Sequence, residues 1–310
     1  MENEVTEHLR ALFVGVAPER KHELEEFWGR FGPVVQIVPD DDQGESLVME
    51  AGMYRYLRFN HRILRMIWLL GFSAWEGYVM IHNGATTGQL GDAAERFKAA
   101  LEAAIAIGKA EDPLSVRLPA GVPEPGPTEA FEIGSTLRAA GEIATFAVGW
   151  AFLHEVQHLM HQQNGTAGSE EPKDRHIEEL SCDEFATRFL LEKVGEYATE
   201  NNVSKEKVLC KRQLGIYFAL YAMAVIGREK WGASATHPAI QTRIDQAFRL
   251  MHETGFSKGA AVLASASFAA LQAVFKNVPS PLTAIADLAA SEKWTEDSFV
   301  DIGLAPPHSI

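Results

Sequence analysis

The feature that most constrains the fold of this chain is a short apolar segment, residues 152–160, which reads FLHEVQHLM. It contains the pattern His-Glu-x-x-His, with histidines at positions 154 and 158. Residues four apart lie on one face of an α-helix, one turn apart, so in a helical segment both imidazoles point the same way. The neighbours Leu153 and Leu159 are apolar, which indicates that the helix is buried. The fold must therefore place a helix bearing two histidines inside the molecule.

Two neutral imidazoles one helical turn apart are typical ligands of Zn²⁺. Glu155 lies beside the pair, where it can remove a proton from a metal-bound water. We therefore predict a zinc site with His154 and His158 as ligands and Glu155 as the general base. On this motif alone, the alternative that the histidines are ordinary polar positions of a helix stays open.

A catalytic zinc ion has three protein ligands and keeps one position open for water. The segment 177–186, IEELSCDEFA, contains Glu179 and Asp183 one helical turn apart. Glu179 follows His158 by 179 − 158 = 21 residues, enough for a loop and a second helix alongside the first. We predict that Glu179 is the third ligand, and that Asp183 accepts the ring N–H of His154 and fixes its tautomer. Taken alone, this acidic cluster also fits a solvated helix face.

Other potential ligands lie nearby in the sequence. A metzincin site requires glycine three residues after the second histidine and another histidine three residues beyond that. Here these positions hold His161 and Asn164, so neither His161 nor His176 completes a metzincin site. Cys182 points about 60° or more away from Glu179 on a helix. We expect this small side chain to be buried.

A more distant segment, residues 235–244, reads ATHPAIQTRI. Peptide hydrolysis builds negative charge on the former carbonyl oxygen, and a nearby donor stabilises that charge. His237 is our candidate for this donor. Arg243 lies on a helix that starts at Pro238, and we expect it to pair with a carboxylate of the site. A simpler interpretation of Thr-His-Pro is a helix-start turn with a surface histidine.

The remaining sequence predicts an α+β fold that is predominantly α-helical. In residues 1–60, β-rich runs predict a small β-containing segment with one helix; apolar residues at three- and four-residue spacings predict a helical segment over 61–110. Clustered prolines predict a linker or lid over 111–128, and a helical body follows over 129–310. The expected strands are 12–16, 34–38 and 47–49, and the expected helices are 19–30, 93–109, 129–162, 175–198, 203–229, 238–254 and 257–276.

Composition narrows the range of partners. The chain has 28 Lys+Arg and 42 Asp+Glu, a formal net charge of −14, and no dense basic run. An acidic surface repels the phosphates of nucleic acids and anionic lipids, so we expect protein or small-molecule partners and no nucleic acid.

The number of cysteines, the first residues and the length of the apolar runs predict the cellular location of the protein. Two cysteines cannot build a disulfide framework, and the acidic start lacks the features of a signal peptide. The longest uncharged runs, 213–227 and 259–275, fall short of the roughly 20 apolar residues that cross a bilayer. We therefore expect a cytoplasmic protein without a membrane span.

These blocks in this order resemble the gluzincin metallopeptidases, and EELSCDEFA at 178–186 is most similar to the Lit-type phage-exclusion peptidases. The similarity covers 144–190 and 234–246, with only a pattern of helices and aromatic residues over 45–83. The resemblance implies a zincin-like helical body and an intracellular endopeptidase that uses Zn²⁺. It also implies a role in phage defence, with cleavage of a translation factor when an activating phage peptide or protein is present.

We therefore predict a zinc-dependent endopeptidase that cuts a peptide bond in an intracellular protein. Two alternatives stay open. One is a non-catalytic helical interaction protein with a closed structural zinc site, in which His161, His176 or Cys182 replaces water. The other is a metal-dependent hydrolase of a non-peptide substrate, because the site chemistry fixes the attacking group and not the substrate.

Overall fold

The computed structural model describes residues 2–31, 49–51, 57–59, 61–125, 131–132 and 135–294. Over these residues the fold is predominantly α-helical, as predicted. The helices are α1 (Glu2–Gly15), α2 (Lys21–Phe31), α3 (His61–Thr87), α4 (Ala93–Lys109), α5 (Thr136–Asn164), α6 (Pro172–Leu191), α7 (Val194–Glu200), α8 (Lys205–Ile226), α9 (Ile240–Thr254), α10 (Lys258–Val274) and α11 (Leu282–Ser291).

The small sheet predicted from the runs 12–16, 34–38 and 47–49 is not shown in that form. Residues 12–16, predicted as a strand, mostly belong to α1, which buries Phe13 against Phe152 with ring centroids 5.6 Å apart. These residues come at the end of a helix whose earlier turns contain three glutamates, Leu9, Arg10 and Ala11, and all of these residue types favour helix. Described strand structure is limited to β1 (Met49–Ala51) and β2 (Leu57–Phe59), an antiparallel pair.

Two of the other amino-terminal predictions fall partly or wholly outside the described residues. The run 34–38 lies outside them, as do the first two residues of the run 47–49. The helix expected over 19–30 is confirmed as α2, which a 3₁₀ turn at Pro18–Arg20 precedes.

The later helices agree with the prediction apart from three differences. The stretch 175–198 is divided into α6 and α7 by a break at residues 192–193. Helix α5 begins at Thr136 rather than near 129, because the side chain of Ser135 caps it by accepting a hydrogen bond from the backbone N–H of Arg138 (3.2 Å). Helix α11 was not predicted.

The core is built around α5, on which α3 and α8 pack closely. A Cβ atom on Gly71 of α3 would lie 2.7 Å from the Cβ of Ala144, and one on Gly215 of α8 would overlap the side chain of Phe146. Glycine at these positions lets the helix backbones approach each other. This packing buries the middle of α5, including the segment with the two histidines.

Helix α8 is the one helix of the described residues that is long and apolar enough to cross a membrane. Seventy-eight per cent of its apolar window is buried inside the molecule. This burial is what the core helix of a soluble protein shows.

The described part of the proline-rich segment, 111–125, is held against α3. The guanidinium of Arg65, which is 1% exposed, donates to both carboxylate oxygens of Glu124 (3.0 and 2.7 Å). The indole N–H of Trp68 donates to the carbonyl oxygen of Pro123 (2.9 Å). The role of this segment as a linker or lid, and the division of the chain at residues 60, 110 and 128, stay predictions.

Candidate active site

Helices α5 and α6 bring the side chains of His154, His158 and Glu179 together. The two imidazole Nε2 atoms lie 3.2 Å apart. Glu179 places Oε2 3.4 Å from Nε2 of His154 and Oε1 3.3 Å from Nε2 of His158. His154 and Glu179 are buried, with 5% and 7% of their surfaces exposed. Within the described part of the chain, this is the group of side chains that could hold a metal ion.

The spacing of these three groups fits a tetrahedral metal ion. When Zn–N and Zn–O bonds are about 2.0–2.1 Å long, the ligand atoms of a tetrahedral site lie about 3.3–3.4 Å apart. The imidazole nitrogens lie 3.2 Å apart, and one carboxylate oxygen of Glu179 lies 3.3 Å from His158 while the other lies 3.4 Å from His154, so each separation is close to these values. In addition, Oε2 of Glu179 is buried and accepts no hydrogen bond within the described residues. A buried carboxylate oxygen without a donor is costly, and a cation at this position would satisfy it.

Asp183 and Arg243 hold the ring of His154 from behind. Nδ1 of His154 lies 2.9 Å from Oδ1 of Asp183. Arg243, on α9, donates to both carboxylate oxygens of Asp183 through Nε and Nη2, each at 2.7 Å. Its Nη1 lies 3.6 Å from Oε2 of Glu179. The carboxylate therefore fixes the orientation of the imidazole, and the guanidinium fixes the carboxylate.

The charges of this group shift the pKa values of its members. Burial alone would lower the pKa of His154, but its contacts with Asp183 and Glu179 outweigh burial and raise it to about 10. Burial would raise the pKa of Asp183, yet the charge and hydrogen bonds of Arg243 keep it below its usual value. The two carboxylates beside His154 therefore favour the protonated form of its imidazole.

Glu155 lies next to the first imidazole on α5 and is 7% exposed. Its side chain makes no hydrogen bond or ion pair within the described residues. Burial raises the pKa of its carboxyl group, while the positive charges of His154 and His158 oppose this effect. A carboxyl group with a raised pKa that is not held by another side chain is suited to accepting and releasing a proton.

His237 lies at the exposed edge of the group. Its side chain is 56% exposed, and its Nε2 is 3.4 Å from Oε1 of Glu179. Thr236 contacts Nδ1 at 2.7 Å, and the hydroxyl of Ser234 accepts the backbone N–H of His237 at 2.9 Å. The turn before α9 therefore holds this imidazole beside the potential metal ligands.

The rival ligands point elsewhere. His161 is 2.7 Å from the hydroxyl of Ser181 through Nε2, and His176 is 2.8 Å from the carbonyl oxygen of Ser234. Cys182 is fully buried, and burial raises the pKa of its thiol far above the usual value. Within the described residues, none of the three belongs to the group that could hold a metal ion.

Sequence reasoning missed one residue of the site. Nδ1 of His158 lies 2.6 Å from Oε1 of Glu178. The acidic cluster in residues 177–186 also fits a solvated helix face, but the side chain of Glu178 is only 14% exposed. The signal that could have found it is chemical, because the second imidazole also needs an acceptor for its other ring N–H.

A buried and a partly buried imidazole with a buried carboxylate could hold a metal ion, and such side chains with a further carboxyl group beside them are typical of metal-dependent hydrolases. The family comparison is more specific, because residues 57–263, two thirds of the chain, match the family model described as Peptidase U49. The chain belongs to this peptidase family. No curated protein and no solved structure matches the chain significantly.

Proposed function

We propose that this protein is a zinc-dependent endopeptidase of the gluzincin type. The observation that carries the proposal is the convergence of His154, His158 and Glu179 at separations of 3.2–3.4 Å. Two neutral imidazoles and one carboxylate are a known ligand set of catalytic zinc. When bound at such a site, Zn²⁺ supplies Lewis acidity, which lowers the pKa of water and polarises a carbonyl oxygen.

Glu155 acts as the general base and then as the general acid. It takes a proton from the attacking water, whose oxygen bonds to the carbonyl carbon of the peptide. As the C–N bond breaks, Glu155 delivers the proton to the nitrogen of the departing amine. Its burial and its raised pKa support this double role, since the carboxyl group must both bind and release a proton.

His237 and Arg243 have supporting roles in the proposal. His237, half exposed at the edge of the group, donates an N–H to the oxygen on which negative charge develops. Arg243 acts through Asp183, which it holds with two hydrogen bonds, and so keeps the ring of His154 oriented. Neither residue is a metal ligand in this account.

The substrate and the biological setting are proposed from the resemblance and the family. We propose that the enzyme acts in the cytoplasm on a protein, with a translation factor as the expected target, and that a phage peptide or protein activates it in phage defence. Two free, buried cysteines suit a reducing compartment. The net charge of −14 disfavours a nucleic-acid partner.

The alternatives are less well supported. A closed structural zinc site needs a fourth protein ligand, and His161, His176 and Cys182 point away from the group. Hydrolysis of a non-peptide bond requires the same attacking group, but membership of a peptidase family favours a peptide substrate.

The experiment that tests the proposal combines cleavage and metal content. Purified protein is incubated with bacterial lysate, with and without a phage extract, a chelator, or a chelator followed by Zn²⁺. We expect discrete fragments that disappear with chelator and return with Zn²⁺. Glu155→Gln should keep zinc and fold while cleavage falls by at least a factor of about 10²–10⁴. Full activity of this variant would remove Glu155 from the mechanism.

Elemental analysis tests the ligand assignment separately. We expect His154→Ala to lose the zinc that the wild-type protein retains after dialysis. Unchanged zinc content in this variant would refute the assignment.

A further inference from the structure

We propose that Glu178 is a positioning residue for His158, linking the backbone of the loop between α5 and α6 to this imidazole and thereby setting the affinity of the site for Zn²⁺. The inference rests on the proposed function in taking His154, His158 and Glu179 as the metal ligands.

Both oxygens of the Glu178 carboxylate are engaged. Oε1 lies 2.6 Å from Nδ1 of His158, and Oε2 accepts the backbone N–H of Gly168 at 2.6 Å. Both distances are at the short end of the range for hydrogen bonds to a carboxylate. The side chains of Glu178 and His158 are 14% and 15% exposed, so water competes little for these bonds.

The contact at Nδ1 determines what Nε2 can do. With Nδ1 as the donor to Glu178, a neutral ring has its lone pair on Nε2, the atom that lies 3.3 Å from Oε1 of Glu179. The carboxylate also makes the imidazole a stronger base and limits rotation of the ring. Glu178 thus prepares His158 for metal binding without contacting the metal.

Helix α6 supplies the hydrogen-bond acceptors for the imidazole rings of both His154 and His158. Asp183 accepts from Nδ1 of His154, and Arg243 on α9 holds Asp183 in place. Glu178 accepts from Nδ1 of His158, but its second partner is a loop amide rather than a buried guanidinium. The imidazole of His154 is therefore held by buried side chains, whereas that of His158 depends on the position of the loop residues 165–171.

Gly168 is required for this connection. A Cβ atom at this position would lie 2.8 Å from the carbonyl oxygen of Asp174 in the first turn of α6, and 3.1 Å from Oε2 of Glu178. A side chain would push the loop away from α6, since the carbonyl belongs to the backbone and cannot rotate aside. The close approach of the amide to Glu178 therefore depends on glycine.

Glu178→Gln tests the inference most sharply. His158 and Gly168 bond to different oxygens of Glu178, and glutamine replaces one of these oxygens with an NH2 donor, so it cannot accept both bonds in their present positions. We expect the affinity for Zn²⁺, measured by competition with a chromogenic chelator, to fall about 10–100-fold. The absorption bands of bound Co²⁺ should shift as well, because one imidazole is no longer held in place.

Glu184→Gln is the matched control. It removes the same charge from the same helix, but the carboxylate of Glu184 contacts Arg188 at 2.7 Å and neither imidazole. We expect its Zn²⁺ affinity and Co²⁺ spectrum to match those of the wild-type protein. An equal loss of affinity in both variants would show a general effect of charge and would overturn the positioning role.

Gly168→Ala provides a second test that leaves every side chain of the site unchanged. It should weaken Zn²⁺ binding in the same direction as Glu178→Gln, whereas Ala167→Ser, at the exposed neighbouring position, should not. Circular dichroism of each variant checks the fold. Wild-type Zn²⁺ affinity in folded Glu178→Gln and Gly168→Ala would overturn the inference. If the wild-type protein itself bound no stoichiometric zinc, or if His154→Ala bound it normally, the proposed function would fail instead.

Discussion

Replacing Arg243 with methionine tests how the site is held together in the protein without metal. The guanidinium is buried, with 8% of the residue exposed, and makes two hydrogen bonds of 2.7 Å to Asp183. It also lies 3.6 Å from Glu179. Methionine fills a similar volume without charge. In Arg243→Met the buried carboxylates of Asp183 and Glu179 lose this guanidinium, and Asp183 loses two hydrogen bonds.

The expected cost follows from leaving a charge buried without its partner. Asp183 is 0% exposed, so water cannot replace the two lost bonds. Removing one partner of a buried ion pair typically costs about 3–5 kcal/mol. Since about 1.4 kcal/mol corresponds to a factor of ten, the folded-to-unfolded ratio should fall by roughly two to three and a half orders of magnitude.

Urea unfolding in the presence of a chelator measures this cost. Arg188→Met is the control, because the ion pairs of Arg188 with Glu184 and Glu253 are partly exposed and worth about 0–1 kcal/mol. Saturation with Zn²⁺ should reduce the loss in Arg243→Met, since the metal supplies positive charge to the same carboxylates. A loss below about 1 kcal/mol in metal-free Arg243→Met would refute the view that this guanidinium stabilises the site.

Two further predictions concern packing and pH. Gly215→Ala places a methyl group against Phe146 at the contact of α8 with α5, and should destabilise the protein by about 1–3 kcal/mol in urea unfolding. The control is Gly195→Ala in α7, where no atom lies within 4 Å of the added Cβ. This variant should be slightly more stable than the wild-type protein or equally stable. Equal destabilisation by Gly215→Ala and Gly195→Ala would contradict the close packing of α8 on α5. The hydrogen bonds of Arg20 hold the pKa of Glu23 at about 2, below the usual 4.5, so the stability contributed by Glu23 is present above pH 4.5 and is lost as the pH falls towards 2. Glu23→Gln should therefore be less stable than the wild-type protein by about 1 kcal/mol or less, because Glu23 is partly exposed. This difference in stability should shrink as the pH falls from 4.5 towards 2. A difference that stays constant over this range would contradict the pKa shift.

The geometry of the site could be anticipated where a single helix determines it. Positions 154 and 158 share a face of α5, and positions 179 and 183 share a face of α6, because side chains four apart always do so on an α-helix. The connection between α5 and α6 is long enough for the face with the histidines to meet the face with the carboxylates. Periodicity and loop length were therefore enough to gather the three candidate ligands and Asp183.

The position of Glu178 could not be anticipated in this way. It lies about 100° from Glu179 around α6, so its environment depends on the angle at which α5 crosses α6. That angle is set by packing between helices, which the local sequence does not specify. The amide of Gly168, its second partner, belongs to a loop without regular structure.

The errors in the fold have a similar cause. Residues 12–16 are rich in β-forming side chains, but the preceding helical turns and the contact of Phe13 with Phe152 make this segment helical. Tertiary packing overrides such local preferences. The break between α6 and α7 at Glu192 and Lys193 carries no proline or glycine that would have indicated it.

The most direct test of the account is a crystal structure of the zinc-loaded protein with anomalous diffraction measured at the zinc edge. We predict a single strong peak bound by Nε2 of His154, Nε2 of His158 and the carboxylate of Glu179, with a solvent molecule as the fourth ligand. A peak elsewhere, or a fourth ligand from the protein such as the thiolate of Cys182, would contradict a catalytic zinc site at this position.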